Sequence, residues 1–307
     1  MPQYSQMAPF ARAKSNERAN LSVHSVNLPS VSDATLTRSL REAAGVEPLG
    51  NSRYAVTLSQ YFSVVGRPNG GYLQCVMANA ALAGAVEAGA PHLHATAVTS
   101  NYVGAPKIGP AEIEVKIRRV GRGASFAHVS LYEGGVFTTE SLVVLGTLHA
   151  DATPRYIDAP LFEVAPLEEC VRSIMNDEIN IMKSAELRLD PSCVGWWNGE
   201  ISDRGEVRGW IRLSDGEGEW DAWSVLFATD ALPPATFPLG SSGWVPTLQL
   251  TSYVRAVPTS EWLRVRQWCV VVEDNLVDER CELFDARGQL VASSSQLAMV
   301  RFPHAHA

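Results

Sequence analysis

The sequence predicts an α+β fold made of two similar units, each combining a helix with an antiparallel sheet. The first observation is a repeat, because in each half an apolar helical run is followed by four strand-like segments in the same order. The second is that these segments alternate polar and apolar residues, as in a sheet with one face in solvent. Each sheet would wrap around its helix, and two units side by side can extend one continuous sheet.

The first unit is predicted to span residues 46–150. Its helical run covers residues 72–82, and its strands cover residues 95–103, 112–119, 125–132 and 136–148. The alternation is clearest over residues 111–118, from Ala111 to Arg118. Glycines at 121, 123, 134 and 135 punctuate the strands, which indicates a meander of neighbouring antiparallel strands.

The second unit is predicted to span residues 181–303 and to repeat this order. Opening strands at 181–189 and 207–213 precede a helical run at 220–232, and meander strands follow at 247–255, 263–272, 279–284 and 289–302. Residues 151–166 are rich in proline and small residues, so residues 151–180 are predicted to be a linker, with a short helix at 168–175. Residues 1–45 are predicted to be a largely mobile tail with a short helix near 34–44; a weak organelle-targeting leader is the alternative.

Composition limits the function classes. The net charge of −8 opposes general binding to nucleic acid or to anionic lipid. The 5 cysteines are odd in number and widely spaced, so the sequence predicts neither a disulfide framework nor a zinc site. The cysteines are therefore expected to be buried thiols in a reducing compartment, and the cytoplasm is the expected location. Gln74, Asn79 and Glu87 interrupt the longest apolar region, so no membrane span is predicted.

Aligning the two copies exposes a difference that can carry chemistry. When Tyr102 is aligned with Tyr253, three positions of the second copy correspond to three positions of the first. The second copy holds Asp230, Thr247 and Gln296, where the first holds Ala81, Thr96 and Leu142. An acid and an amide occur in one copy only, beside a threonine present in both. The sequence therefore predicts a single site.

Several motifs in this order make the chain similar to a known family. They are Arg67-Pro68-Asn69-Gly70-Gly71-Tyr72, Arg119-Val120-Gly121-Arg122-Gly123-Ala124-Ser125-Phe126, Ala228-Thr229-Asp230, Pro246-Thr247-Leu248 and Leu290-Val291-Ala292-Ser293-Ser294-Ser295-Gln296. Across residues 53–302 the chain resembles the acyl-CoA thioesterase II family and its thioesterase-like relatives. The resemblance implies the double hotdog fold, in which two helix-wrapped antiparallel sheets join into one continuous sheet.

The resemblance also implies a water-activating site of Asp230, Thr247 and Gln296. Physical chemistry agrees, because thioester hydrolysis needs a water beside a base, and a carboxylate in an apolar cleft has a raised pKa. Gln296 can donate and accept through its amide, and Thr247 can do both through its hydroxyl, so the pair can orient a water. No cofactor and no metal are predicted.

Two further groups of residues are candidates for binding substrate. Free N–H groups at the start of the first helix can meet the thioester oxygen, and arginines at the meander turn can meet the phosphates of coenzyme A. The residues are Asn69, Gly70, Gly71, Tyr72, Arg119 and Arg122. The competing interpretations are a solvated helix-end acid for Asp230, ordinary strand positions for Thr247 and Gln296, and a solvated turn for the arginines.

Two function classes remain open at this point. The leading hypothesis is an enzyme that hydrolyses an acyl-CoA or an acyl carrier-protein thioester by direct attack of water. The alternative is a non-catalytic acyl-ligand-binding protein of the same fold, or a hydratase or lyase. A G-x-S-x-G nucleophile motif is missing from the sequence, which gives no support to a serine hydrolase. A homo-oligomer, a dimer or higher, is expected from pairing through sheet edges.

Overall fold

The computed structural model describes residues 37–149, 152–214 and 220–303. The helices are α1 (Leu40–Ala43), α2 (Gly70–Glu87) and α3 (Val225–Ala228), with short 3-10 turns at Gln60–Phe62, Asn180–Lys183, Pro191–Cys193 and Gly195–Asn198. The strands of the first repeat are β1 (Glu47–Gly50), β2 (Arg53–Leu58), β3 (Ser63–Val64), β4 (Arg67–Pro68), β5 (His94–Tyr102), β6 (Gly109–Val120), β7 (Ser125–Glu133) and β8 (Val136–Gly146). Those that follow are β9 (Val171–Arg172), β10 (Ala185–Leu189), β11 (Glu206–Leu213), β12 (Thr247–Val254), β13 (Leu263–Glu273), β14 (Leu276–Phe284) and β15 (Leu290–Met299).

One antiparallel sheet of 13 strands dominates the molecule. Its centre is the pair β5 and β12, which joins the two repeats. Outward from that pair the order is β8, β7, β6, β2 and β1 on one side, and β15, β14, β13, β11, β10 and β9 on the other. The two halves therefore have the same strand order, and the predicted α+β class is confirmed.

Helix α2 is the long helix of the first repeat. The residue before it, Asn69, is its N-cap: the Asn69 side chain accepts a hydrogen bond from the Tyr72 N–H at 2.9 Å. Most of its residues are buried, because the sheet covers one side and α3 packs near its start. Gln74 is fully buried within it and donates to the Leu250 carbonyl oxygen of β12 at 3.0 Å. The helix of the first repeat is thereby bonded to the strand of the second.

The second repeat does not contain the long helix that its sequence predicts. Within residues 220–232 only α3 is helical. Before it, the Asp221 N–H donates to the Ser224 hydroxyl at 2.7 Å and holds the chain in a turn. After it, Pro233 and Pro234 cannot continue a helix and disfavour helical geometry in the residue before them. The prediction of a long second helix is therefore wrong.

The strand registers also correct the alignment of the two copies. Across the junction Thr99 pairs with Thr251 and Asn101 with Gln249, so exchanging the strands relates Ala95 to Thr247, one residue away from the predicted Thr96. Both strands are bulged at this point. In the same way Gln296 corresponds to Val143, since each pairs with the equivalent position of its neighbouring strand. A slip of one residue exchanges the two faces of a sheet, so the first repeat has apolar residues at both positions.

Of the two short helices predicted outside the repeats, the structure contains one, α1 within residues 34–44, and lacks the other. Val171–Arg172 pairs with β10 as the edge strand β9, so the predicted helix at 168–175 is wrong. The predicted tail lies outside the described residues as far as residue 36, and beyond that α1 packs on α2. The Ala43 carbonyl oxygen accepts from the Tyr72 hydroxyl at 2.6 Å, and Leu40 is fully buried. Among the described helices, none is both long enough and apolar enough to cross a membrane.

Candidate active site

A cavity of about 640 Å³ lies at the meeting point of the two repeats. The first repeat contributes the start of α2 and the end of β5, and the second contributes the segment after α3 and the start of β12. Polar groups gather at one part of the wall, while most of the remaining wall is apolar. The polar lining includes Asn69, Tyr102, Asp230, Thr247, Gln267, Glu279 and Gln296.

Asp230 is held by the start of the helix in the other repeat. Its Oδ2 atom accepts a hydrogen bond from Asn69 Nδ2 at 3.0 Å and another from the Gly71 N–H at 2.9 Å. Asn69 Nδ2 also donates to the Asp230 carbonyl oxygen at 2.7 Å. Gly71 permits this approach, because a Cβ atom there would lie 2.7 Å from the Leu226 carbonyl oxygen. The site therefore depends on both repeats.

Burial raises the pKa of Asp230 into the range of a general base that works at neutral pH. Removal from water raises the pKa of its carboxyl group to about 7, and the negative charge of Glu279 acts in the same direction. The hydrogen bonds from Gly71 and Asn69 oppose that rise in pKa because they stabilise the ionised form. A general base is most effective when its pKa lies near the working pH.

Thr247 and Gln296 form a second polar group on the same cavity wall. The Thr247 hydroxyl donates to Gln296 Oε1 at 3.0 Å, and Gln296 Nε2 donates to Glu279 Oε2 at 2.5 Å. Thr247 lies at the bulge that opens β12, and Gln296 points inward from the neighbouring strand β15. The structure therefore brings all three predicted residues, Asp230, Thr247 and Gln296, to one cavity.

The N–H groups at the start of α2 are already bonded. The Gly71 N–H donates to Asp230 and the Tyr72 N–H donates to Asn69 Oδ1, so neither is free to meet a thioester oxygen. The Tyr72 side chain is fully buried and bonds to Ala43, away from the cavity. Asn69 and Gly70 do line the cavity, and the Gly70 carbonyl oxygen accepts from the Tyr102 hydroxyl at 2.7 Å.

Arg119 and Arg122 are not part of this cavity. Tyr102, which lines the cavity, is at the C-terminal end of β5. Both arginines lie at the turn between β6 and β7, which is beside the part of β8 that pairs with the N-terminal end of β5. Among the described residues, the cation that lines the cavity is Arg67 in β4, which is exposed and donates to the Ala105 carbonyl oxygen at 3.2 Å.

Sequence reasoning missed Glu279, although a signal was present. In β14 the residues Val277, Cys281 and Leu283 are buried, and Glu279 falls on the same alternating face. An acid in phase with buried residues of a strand indicates an inward-facing carboxylate. Gln267, which also bonds to Glu279, has the equivalent position in β13, where Val265 is fully buried.

Aromatic residues form much of the apolar wall. The rings of Trp196 and Phe237 lie 5.1 Å apart and those of Trp196 and Trp197 lie 5.7 Å apart, with Trp244 also lining the cavity. A cavity with a few polar groups on one side of an apolar wall suits a ligand with a reactive head and a hydrocarbon body.

Models of known families match both halves of the chain. The acyl-CoA thioesterase N-terminal domain matches residues 58–149, and the acyl-CoA thioesterase C-terminal domain matches residues 163–300. The chain belongs to the acyl-CoA thioesterase family. It is accordingly a thioester hydrolase, and its fold is that of hotdog proteins.

Individual relatives agree with the family match. A solved structure from Thermobifida fusca, assigned to thioesterase II, is 32% identical, covers 89% of this chain and 100% of its own, and superposes with a TM-score of 0.79. A hotdog-fold protein from Alicyclobacillus acidocaldarius is 18% identical, covers 87% of this chain and 100% of its own, and gives a TM-score of 0.74. An uncharacterised protein from Mycobacterium tuberculosis is 29% identical over 79% of this chain and 89% of its own.

Proposed function

We propose that this protein hydrolyses acyl-CoA thioesters by direct attack of a water molecule that Asp230, Thr247 and Gln296 activate. The observation that supports this most directly is a half-buried carboxylate with a pKa of about 7 in a largely apolar cavity, beside a hydroxyl and an amide. These are the groups that the reaction needs, namely a base and partners that orient water.

The proposed reaction begins when Asp230 takes a proton from the water. Its Oδ2 atom is occupied by Asn69 and Gly71, which makes Oδ1 the natural acceptor. The water oxygen attacks the thioester carbonyl carbon, and the resulting oxyanion collapses with cleavage of the carbon–sulfur bond. The leaving thiolate takes the proton back from Asp230, so the products are a carboxylic acid and free coenzyme A.

The rival functions have less support from this site. Among the described residues that line the cavity there is no histidine, so an Asp/His pair for hydration has no counterpart in this part of the chain. A purely ligand-binding role would not require a base with a pKa near neutrality, although it would use the same apolar wall.

A panel of acyl-CoA esters of increasing chain length, assayed for release of free thiol, tests the proposal. Turnover of at least one ester supports it. Binding of the esters in calorimetry without thiol release would favour the acyl-ligand-binding alternative. Acyl N-acetylcysteamine esters, which keep the thioester and lack the phosphates, separate the need for coenzyme A from the need for the acyl group.

We also propose that the chain is organised as a double hotdog, with a first unit at 46–150, a linker at 151–180 and a second unit at 181–303. The five cysteine thiols are free, which fits a reducing compartment such as the cytoplasm. Self-association stays a prediction, and the edge strands β1 and β9 offer only short stretches for pairing.

A further inference from the structure

We propose that Glu279 is a positioning residue that fixes the amide of Gln296, and through it the hydroxyl of Thr247, in the orientation that hydrolysis requires. This inference rests on the proposed function. Glu279 does not need to touch the substrate to act in this way, because its effect passes through hydrogen bonds to residues that do.

Glu279 is surrounded by hydrogen-bond donors. Its side chain points inward from β14, and only 1% of the residue is exposed. The Ala235 N–H donates to Oε1 at 2.8 Å, while Gln267 Nε2 and Gln296 Nε2 donate to Oε2 at 3.1 Å and 2.5 Å. Burial raises the pKa of Glu279, and its three donors oppose that rise because they stabilise the ionised form. An ionised carboxylate can only accept, so the NH₂ group of Gln296 has to face it.

This constraint determines the direction of the next hydrogen bond. With the Gln296 NH₂ group turned toward Glu279, its Oε1 atom accepts from the Thr247 hydroxyl at 3.0 Å. The Thr247 hydrogen is then committed, so its oxygen offers lone pairs to other groups. A water between Thr247 and Asp230 would donate one hydrogen to each, which leaves the lone pair of the water free to attack the thioester carbon.

Without the carboxylate, the orientation of the amide would not be fixed. The two ends of a glutamine amide have nearly the same shape, and only the surrounding donors and acceptors decide between them. If the Gln296 amide turned over, its NH₂ group would face Thr247. The hydroxyl would then accept from Gln296 and direct its own hydrogen elsewhere, so Thr247 would compete with the water as a donor.

Glu279→Gln tests this arrangement at nearly constant shape. If the new amide oxygen accepts from Ala235, its NH₂ group faces the NH₂ groups of Gln267 and Gln296. If it is turned the other way, its NH₂ group faces the Ala235 N–H. In the second orientation the contact with the backbone N–H of Ala235 cannot be relieved. In the first, the contacts disappear when the amides of Gln267 and Gln296 turn over and present their oxygens, so this orientation is favoured and the Gln296 amide turns over.

The experiment is a double-mutant cycle on kcat with an acyl-CoA that the wild-type protein hydrolyses. Glu279→Gln alone should lower kcat by about 10- to 100-fold, the usual size of an effect from a residue that orients an active group, with KM nearly unchanged. In a Gln296→Ala background the same substitution should lower kcat no further, because the residue through which Glu279 acts has gone. If Glu279→Gln does not fold, Glu279→Met, which has a similar length and no oxygen to accept from Gln296, takes its place in the cycle.

The control is Glu282→Gln on the same strand, where the carboxylate pairs with Arg266 at 3.0 Å on the other face of the sheet. It should keep wild-type kcat. Wild-type kcat in Glu279→Gln, or a further loss in the Gln296→Ala background, would overturn the role of Glu279 while leaving the hydrolase intact. A wild-type protein that hydrolyses none of the esters would instead overturn the proposed function on which this role depends.

Discussion

At the scale of single residues, the surroundings of Asp230 decide what it can do. The sequence identifies the residue, but it also permits an ordinary solvated acid after a helix. The structure decides between these because Asn69 and Gly71 of the first repeat enclose the carboxylate. A shift in pKa that arises from contacts between distant parts of the chain cannot be read from local sequence. For the same reason the proposed role of Glu279 follows only from its three donors, which come from distant parts of the chain.

The pH dependence of kcat/KM should follow the ionisation of Asp230. The base must be deprotonated, so kcat/KM should rise with pH through about 7 and fall as Asp230 is protonated at lower pH. Glu279, Tyr102 and Cys281 are the titratable neighbours that interact with it.

Asn69→Ala should move this rise to higher pH, because Asn69 stabilises the ionised form. A pH–rate profile of both proteins checks the direction, with Glu282→Gln as a control that should not move. A midpoint that shifts to lower pH in Asn69→Ala would contradict the assignment.

Arg67 offers a test of how the coenzyme is bound. It is a cation that lines the cavity, so Arg67→Ala should raise KM for acyl-CoA several-fold while KM for the corresponding N-acetylcysteamine ester changes little. Arg119→Ala, at the end of β6 that lies away from the cavity, should leave both KM values unchanged. Steady-state kinetics with the two esters measure this, and an equal rise in KM for both esters would argue against a phosphate contact.

At the scale of elements, the site depends on the close packing of α2 against α3. The sequence predicts α2 and all the central strands, because helix caps and alternation are local signals. It does not predict that the second helix is short, because its apolar run masks the local turn between Asp221 and Ser224 that precedes α3. Nor does it give the register of β12. Both errors fall at the boundary between the two repeats, where residues far apart in the chain meet.

Gly71→Ala should damage both stability and activity. The new methyl group would meet the Leu226 carbonyl oxygen at 2.7 Å and the Asp230 Cβ atom at 2.9 Å, so the helix start must move away from the carboxylate. Forcing a methyl group into such packing costs about 1–3 kcal/mol of unfolding free energy. Urea denaturation and kcat measure the two effects. Gly123→Ala, where an added Cβ has no atom within 4 Å, is the matched control; equal stability of the two variants would contradict the packing described.

At the scale of the whole molecule, the two repeats share one sheet and one buried core. Beside the β5–β12 pairing, Gln74 links α2 to Leu250, and the Thr251 hydroxyl donates to that of Thr99 at 3.2 Å. The sequence predicts this shared sheet from the duplication, because a repeated helix and meander can cover an open edge by pairing with a second copy. What it does not supply is the full set of side chains that reach the common cavity, since Gln267 and Glu279 were missed.

The repeats should therefore unfold together. All 8 tryptophans lie between Trp196 and Trp268, so tryptophan fluorescence reports the second repeat alone, whereas far-ultraviolet circular dichroism reports both. Urea unfolding curves from the two probes should coincide, as expected for one cooperative unit. Two separated midpoints would show that the repeats are stable independently and that the junction contributes little.

We propose Asp230 as the base, and the kcat of Asp230→Asn is the decisive measurement of that role. An asparagine can keep its oxygen toward Asn69 and Gly71, so the variant should fold, as thermal unfolding will show. Since general base catalysis contributes about 10²- to 10⁴-fold, kcat for acyl-CoA hydrolysis should fall by that order. A folded Asp230→Asn protein that releases thiol as fast as the wild type would contradict the account.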